Sequence, residues 1–274
     1  MGLSLLEFTT DILVEEHLSN EGVCPMENPV IQTMLNHRSV RKYTPQKPTD
    51  ETIQAIVRAG QQAPFASQLY SVLLTRKKAP FAAPLWFTIC VDLYKLERFM
   101  KLGGWEVVTN DLSLLFFGIQ DAAYMAENMV VAGESLGLFS CFLGNAPYMA
   151  DKIARDFKLP RRIFPLVGLV MGYPAEEFPP RPRYPLSFTL FEDQYPEFTD
   201  EQVAEAMKVM DEGYLAQDYY IKQKAKIRLE KGRKETFTYE NYSWTEHISR
   251  KWGQWYESPE ELLEQLEKRG FRIG

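Results

Sequence analysis

The hydrophobic positions fall into two kinds of run. YSVLLT (70–75), PLWFTICVD (84–92), FSCFLG (139–144) and FPLVGLVMG (164–172) are short, almost unbroken apolar stretches rich in Val, Ile, Leu and Phe. An alternating pattern would mark a strand with one wet face; continuous runs predict strands covered on both faces. The second kind has helical spacing. From Asp111 to Leu136, the residues Leu112, Leu115, Ile119, Ala122, Ala126, Met129, Gly133 and Leu136 follow three- and four-residue steps. Phe116, Phe117, Ala123, Met125 and Val130 put apolar groups on the remaining faces. Such a helix must be buried on most sides, within one chain or at the centre of a dimer.

Polar punctuation marks the other boundaries. Asn28-Pro29 offers a cap and a proline at the first helical position, predicting a helix to about Leu35. Thr49, with Asp50 and Glu51 in the first turn, opens a second helix that runs until Pro64. Residues 1–27 read as a short leading helix and a loop. After Pro174 comes a proline-rich connector, PAEEFPPRPRYPLS. Thr199-Asp-Glu-Gln202 and Ser258-Pro-Glu-Glu261 are capping-box patterns. The first heads VAEAMKVMDEGYLAQDYYIKQ, and the second a last helix leading to Gly270. Between them KQKAKIRLEKGRK (222–234) is a basic, mobile loop. The chain divides into an N-terminal extension (1–27), a central domain (28–198) and a C-terminal helical excursion (199–274) packing on that domain.

Charge and composition exclude several classes. The 274 residues carry a formal net charge of −6 and a pI near 5.3, against general nucleic-acid binding. Asp121, Glu127 and Glu134 interrupt the most apolar stretch, 112–142, against a membrane span. The opening MGLSLLEFTTDILVEEH has acids where an export signal would have bases. Cys24, Cys90 and Cys141 have no paired spacing and read as reduced thiols. His17, His37 and His247 form no metal pattern. The expectation is a cytoplasmic protein with no nucleic-acid, membrane or metal partner.

Against that acidic background two basic clusters stand out. HRSVRKYTPQ (37–46) sets His37, Arg38, Arg41 and Lys42 around one serine, and Arg181-Pro182-Arg183 is embedded in prolines. Guanidinium forks suit phosphate oxygens, and proline limits the freedom lost on binding. The residues alone allow two readings for each cluster, a solvated loop or half of a phosphate site. Neither a GxGxxG turn, a P-loop nor a GxSxG elbow is present.

The order of motifs resembles the FMN-dependent nitroreductase and flavin reductase superfamily. The resemblance rests on His37-Arg38-Ser39-Val40-Arg41 and on Ala63-Pro64-Phe65-Ala66-Ser67-Gln68-Leu69-Tyr70. It rests also on Ala132-Gly133-Glu134-Ser135-Leu136-Gly137-Leu138, on Gly144, on Gly172-Tyr173-Pro174, and on Arg181-Pro182-Arg183-Tyr184-Pro185. It covers roughly residues 30 to 195. The later helices and SWTEHI (243–248) are similar to the larger NADPH-preferring, oxygen-insensitive branch. The resemblance implies an α+β, three-layer α/β/α fold with a mostly antiparallel central sheet and a long central helix at a homodimer interface. Residues 28–198 would form the FMN-binding domain. NAD(P)H would be co-substrate, and a small-molecule electron acceptor, such as a nitroaromatic, quinone or flavin, would be served by ping-pong hydride transfer.

The same resemblance assigns residues. His37, Arg38 and Ser39, with Arg181 and Arg183, would hold the FMN phosphate. Arg41 would reach the pyrimidine edge of the ring and tune it, and no catalytic acid or base of the protein's own is implied. Leu143, Gly144 and Asn145 would pass beside the ring, with Gly144 permitting close approach. Ala66, Ser67, Gln68 and Tyr70 would line the ribityl chain and ring edge. Here the sequence departs from the family: Phe65, Gln68 and Tyr70 replace the usual serine, asparagine and glutamine. Only RKKAPFAA separates the first two strands, where relatives carry a helix. Phe117 and Tyr124 read as core or dimer packing, and Cys90 and Cys141 as core filler. His247 reads as a packing residue, Lys42 faces water, and Lys226, Arg228 or Arg233 are candidates for the NADPH 2′-phosphate. Three other readings stay open: different flavin chemistry (dehalogenation or flavin fragmentation) on the same fold, a flavin-holding module with little turnover, and nucleic-acid binding through 222–234.

Overall fold

Four strands, β1 (Tyr70–Thr75), β2 (Leu85–Asp92), β3 (Phe139–Leu143) and β4 (Ile163–Gly172), form one sheet in the order β1-β2-β4-β3. The computed structural model describes residues 28–107, 110–230, 232–254 and 258–273. The leading helix expected within 1–27, with His17 and Cys24, lies outside them. Every strand pair is antiparallel, with registers running from Tyr70↔Val91, Leu85↔Met171 and Phe139↔Gly172. Central β2 and β4 are buried nearly throughout, as their apolar runs predict. In β1 only Tyr70 is buried, because an outer strand has a neighbour on one side only.

Helices lie against this sheet where the sequence punctuates them. α1 (Pro29–Leu35) starts with Asn28 accepting from Val30 N at 2.9 Å, and α2 (Asp50–Gln61) with Thr49 accepting from Thr52 N at 3.2 Å. α3 (Tyr94–Leu102) has no buried residue and no side-chain cap, so the apolar pattern does not announce it. The long helix α4 (Asp111–Ser135) packs Met125 and Met129 against Ile53 and Ile56 of α2 and Phe87, Ile89, Leu169 and Met171 of the sheet. Two close approaches fix its seat. A Cβ on Gly60 would come within 2.7 Å of Met129 Cγ, and one on Gly118 within 2.4 Å of Val91 Cγ1. The fold is α+β, an antiparallel sheet with long helices.

α4 is not buried all round. Leu112, Phe116, Phe117 and Tyr124 are between 47% and 60% exposed in the single chain. Beyond the sheet, α5 (Ala150–Phe157) emerges from a short 3-10 turn without a side-chain cap. α6 (Asp200–Ala216) begins with the expected reciprocal capping box, but the continuous helix expected to residue 223 breaks. Asp218 adopts φ 49° and starts the short α7 (Tyr219–Gln223), which lets Tyr219 and Tyr220 fold back on Tyr214. α8 (Trp244–Gly253) and α9 (Pro259–Lys268) follow. At α9 Ser258 accepts from Glu260 N and bonds the Glu260 carboxylate, so the serine caps the helix through Glu260 and not through the expected reciprocal pair with Glu261. The tail then returns to the sheet: Phe271 packs edge-on against Phe164, while Arg162 ties Asp111 to the Gly270 carbonyl.

Candidate functional site

The basic turn is pinned along the outer edge of β3. Val40 N donates to Ser140 O, Thr44 N to Tyr173 O, and Ala175 N to Lys42 O, each at 2.9 Å. Tyr43 bridges Pro174, and its hydroxyl donates to Val40 O at 2.6 Å. The chain leaving β4, which carries Arg181 and Arg183, is thereby drawn to the chain carrying His37 to Arg41. Lys42, expected to face water, pairs with Glu176 at 2.7 Å on an exposed surface.

His37 Nδ1 lies 2.7 Å from Glu134 Oε1, and the Glu134 side chain is only 3% exposed. This hydrogen bond raises the imidazole pKa above its ordinary 6.5. Burial opposes the rise, the charges of Glu134 and Glu127 add to it, and Arg183 lowers it. The Arg38 guanidinium stacks 4.3 Å from the Phe139 ring centroid and donates from Nη1 to Asn36 O at 3.0 Å. Its buried Nε has no hydrogen-bond partner among the described residues. Ser39 and Arg41 lie over Cys141, whose thiol is pushed up by burial while both neighbours oppose the shift.

Arg181 stacks 4.3 Å from the Tyr219 centroid and donates to Gln217 Oε1 at 2.6 Å. Burial lowers its pKa, and the nearby charge of Arg41 lowers it further. Arg183 donates to the carbonyls of Arg181 and Pro182. A residue that sequence reasoning missed joins the two clusters: burial raises the Tyr214 phenol, and Arg181, Arg183 and Arg41 all act against that rise. Among the described residues none of Arg38, Arg41, Arg181 and Arg183 is paired with a carboxylate. Leu143, like Tyr43 and Trp86, packs against the buried cluster of Ala79, Ala83, Cys141 and Val170, Asn145 donates to Met149 Sδ, and Gly144 has open space where a Cβ would stand.

The remaining assigned residues are elsewhere in the chain. The 63–70 loop sits near the middle of α4, where the carboxylate of Asp121 accepts from Ala66 N at 2.6 Å, Ser67 N at 3.1 Å and Leu69 N at 2.9 Å. Phe65, Ala66, Ser67 and Gln68 are exposed, whereas Tyr70 is buried as the first residue of β1. Gln68 adopts φ 52°. Asp121 and Glu134 are thirteen residues apart on α4, or ~20 Å along the axis. One chain therefore holds the arginine half and the loop half of the assigned set at different stations along the same helix.

The other polar features are occupied by packing. His247 stacks at 4.9 Å on Tyr220 and reaches the Tyr242 hydroxyl at 3.1 Å. Lys226, one candidate for a nucleotide phosphate, is instead engaged by Glu235 and the Phe237 carbonyl. Arg250, 3% exposed, holds Glu235, Glu246 and the Ile227 carbonyl, so the chain at Ile227 and at Glu235 is tied to α8 rather than simply solvated. Burial pushes the Cys90 thiol up to about 12, which leaves it inert. No group of three or more His, Cys, Asp or Glu among the described residues is arranged to hold a metal, and no helix there is long and apolar enough to cross a membrane.

Comparison with known proteins gives a consistent picture. The model of the nitroreductase family matches residues 34–79, the interval containing both the basic turn and the 63–70 loop. An FMN reductase (NADPH) of Bacillus subtilis is 31% identical over 192 residues, covering 64% of this chain and 77% of that protein. The oxygen-insensitive NADPH nitroreductase of Salmonella typhimurium is 27% identical over 263 residues, covering 89% and 98%. Among solved structures, NfrA1 of B. megaterium superimposes with a TM-score of 0.74 at 27% identity, covering 89% of this chain and 99% of that one.

Proposed function

The chain belongs to the nitroreductase family of flavin-dependent oxidoreductases, and from that premise we propose that it is an FMN-dependent NAD(P)H oxidoreductase. Nitroaromatics, quinones or free flavins are its proposed acceptors. The observation that carries this reading is that main-chain bonds from Thr44 to Tyr173 and from Ala175 to Lys42 draw the chain bearing Arg181 and Arg183 to the turn bearing Arg38 and Arg41, with none of the four paired to a carboxylate among the described residues, in a chain of net charge −6. Guanidinium groups held near one another without carboxylates repel, and are kept where an anionic ligand completes the balance. The donor set fits FMN, with an unpaired buried Arg38 Nε and a histidine biased to its cationic form for the phosphate, and open space at Gly144 for the ring.

In this reading His37, Arg38, Ser39, Arg181 and Arg183 hold the phosphate. When bound, FMN supplies a two-electron carrier that takes hydride from the nicotinamide and passes electrons to an electron-poor acceptor in ping-pong order. Arg41, beside Cys141, would balance the negative charge at the edge of the reduced ring. Since the two halves of the set are separated along α4, the functional unit is proposed to be a homodimer. Its partner brings Ala66, Ser67 and Gln68 to the arginines of the first chain, with a site at each interface. The exposed face of α4 supplies the apolar contact surface for a two-fold pairing. NADPH is the proposed donor, in keeping with the names of the relatives above; Arg228 and Arg233, both exposed, remain available for its extra phosphate.

Anaerobic titration of the FMN-reconstituted protein with NADPH, followed by addition of a nitroaromatic, tests this function. Bleaching of the flavin band and its return are expected. Flavin that binds but does not bleach would make the protein a flavin holder, and failure to take up FMN at all would overturn both readings.

A further inference from the structure

We propose that Asp121 is a positioning residue whose buried carboxylate sets the backbone of 66–69 and so presents Gln68 to the bound flavin. The inference rests on the flavin reading above. Asp121 lies in an otherwise apolar stretch of α4 and is 1% exposed. A buried carboxylate is costly without partners, and among the described residues this one accepts from three main-chain amides, at 2.6, 3.1 and 2.9 Å. Charge-assisted bonds of this kind are stronger than neutral ones.

The pattern of donors is informative. Residues 66, 67 and 69 donate and 68 does not, and it is Gln68 that adopts φ 52°. A non-glycine residue in the left-handed region is strained and persists where its surroundings hold it. The amides on either side of Gln68 are clamped by Asp121, and the Gln68 side chain is left exposed. Because the clamp uses only backbone groups, it is indifferent to the unusual Phe65, Gln68 and Tyr70 of this chain. The loop can keep its shape while its side chains change.

A double-mutant cycle in the full-length protein tests this, with FMN dissociation constants read from flavin fluorescence quenching for wild type, Asp121→Asn, Gln68→Ala and the double variant. Asp121→Asn is expected to weaken FMN binding about tenfold, and Gln68→Ala to cost much less in its presence than in the wild type. Unchanged affinity, or strictly additive effects, would overturn the role of Asp121 and leave the flavin reading standing. A wild-type chain that takes up no FMN would overturn the flavin reading and this role with it. Amide hydrogen exchange on the flavin-free wild type provides a check independent of any variant. Protection is expected at residues 66, 67 and 69 and not at 68; fast exchange at all four would also overturn the proposal.

Discussion

Glu134 governs the protonation state that His37 would bring to a phosphate. Its hydrogen bond raises the imidazole pKa, with Glu127 adding to the rise and burial and Arg183 opposing it. A raised folded-state pKa means the charged imidazole contributes fully below about 6.5, and the contribution fades as pH climbs through the raised value. Flavin affinity is therefore expected to decline as pH rises through that raised value. In Glu134→Gln that decline should begin at lower pH, which dissociation constants measured across pH 5.5–9 would show; an unmoved profile would remove His37's charge from the site. Arg41→Ala addresses the ring instead. Bound FMN should become harder to reduce, seen as a more negative potential in anaerobic dye equilibration, with a smaller change in affinity. Both basic clusters were legible in the sequence because cations in an acidic chain are conspicuous. Asp121 and Glu134 were visible too, as breaks in an apolar run, but a break does not reveal its partner. The amides of 66–69 and the ring of His37 lie 52 to 97 residues away in sequence.

The same contrast holds for whole elements. Of the helices with a cap residue, α1, α2, α4 and α9 could be read from sequence to within a residue or two, and α6 at its start. α3 and α5 could not, because neither starts with a side-chain cap and α3 buries nothing. The break after α6 escaped because apolar and aromatic residues continue past Asp218, and an aspartate tolerates the left-handed conformation without announcing it. Two helix contacts make quantitative expectations. Gly118→Ala gains helix propensity of about 1 kcal/mol, yet its new methyl must displace Val91. A net loss of about 1–2 kcal/mol in urea unfolding is expected. Arg250→Met leaves the Ile227 carbonyl without its donor and loosens 222–235 from α8. A loss of about 1–3 kcal/mol is expected from that unmet bond, seen as a lower melting temperature together with faster proteolysis in this segment.

At the scale of the molecule, the exposed Phe116, Phe117 and Tyr124 on α4 set the expectation for assembly. Phe117→Glu places a charge in the proposed two-fold contact. Sedimentation is expected to show the dimer dissociating, with FMN affinity lost at the same time although no flavin contact has been altered. A variant that remains dimeric, or a monomer that keeps its flavin, would break the link between assembly and site. The distance along α4 also has a genetic meaning. If each site borrows its loop from the other subunit, lesions in the two halves should complement. Arg183→Ala and Gln68→Ala chains, each impaired alone, would form mixed dimers in which both lesions fall in one site and the other is intact. After random reassortment of equal amounts, half the dimers are mixed, so about a quarter of all sites are restored. The long helix would then make activity a property of the pair, recoverable from two defective parents.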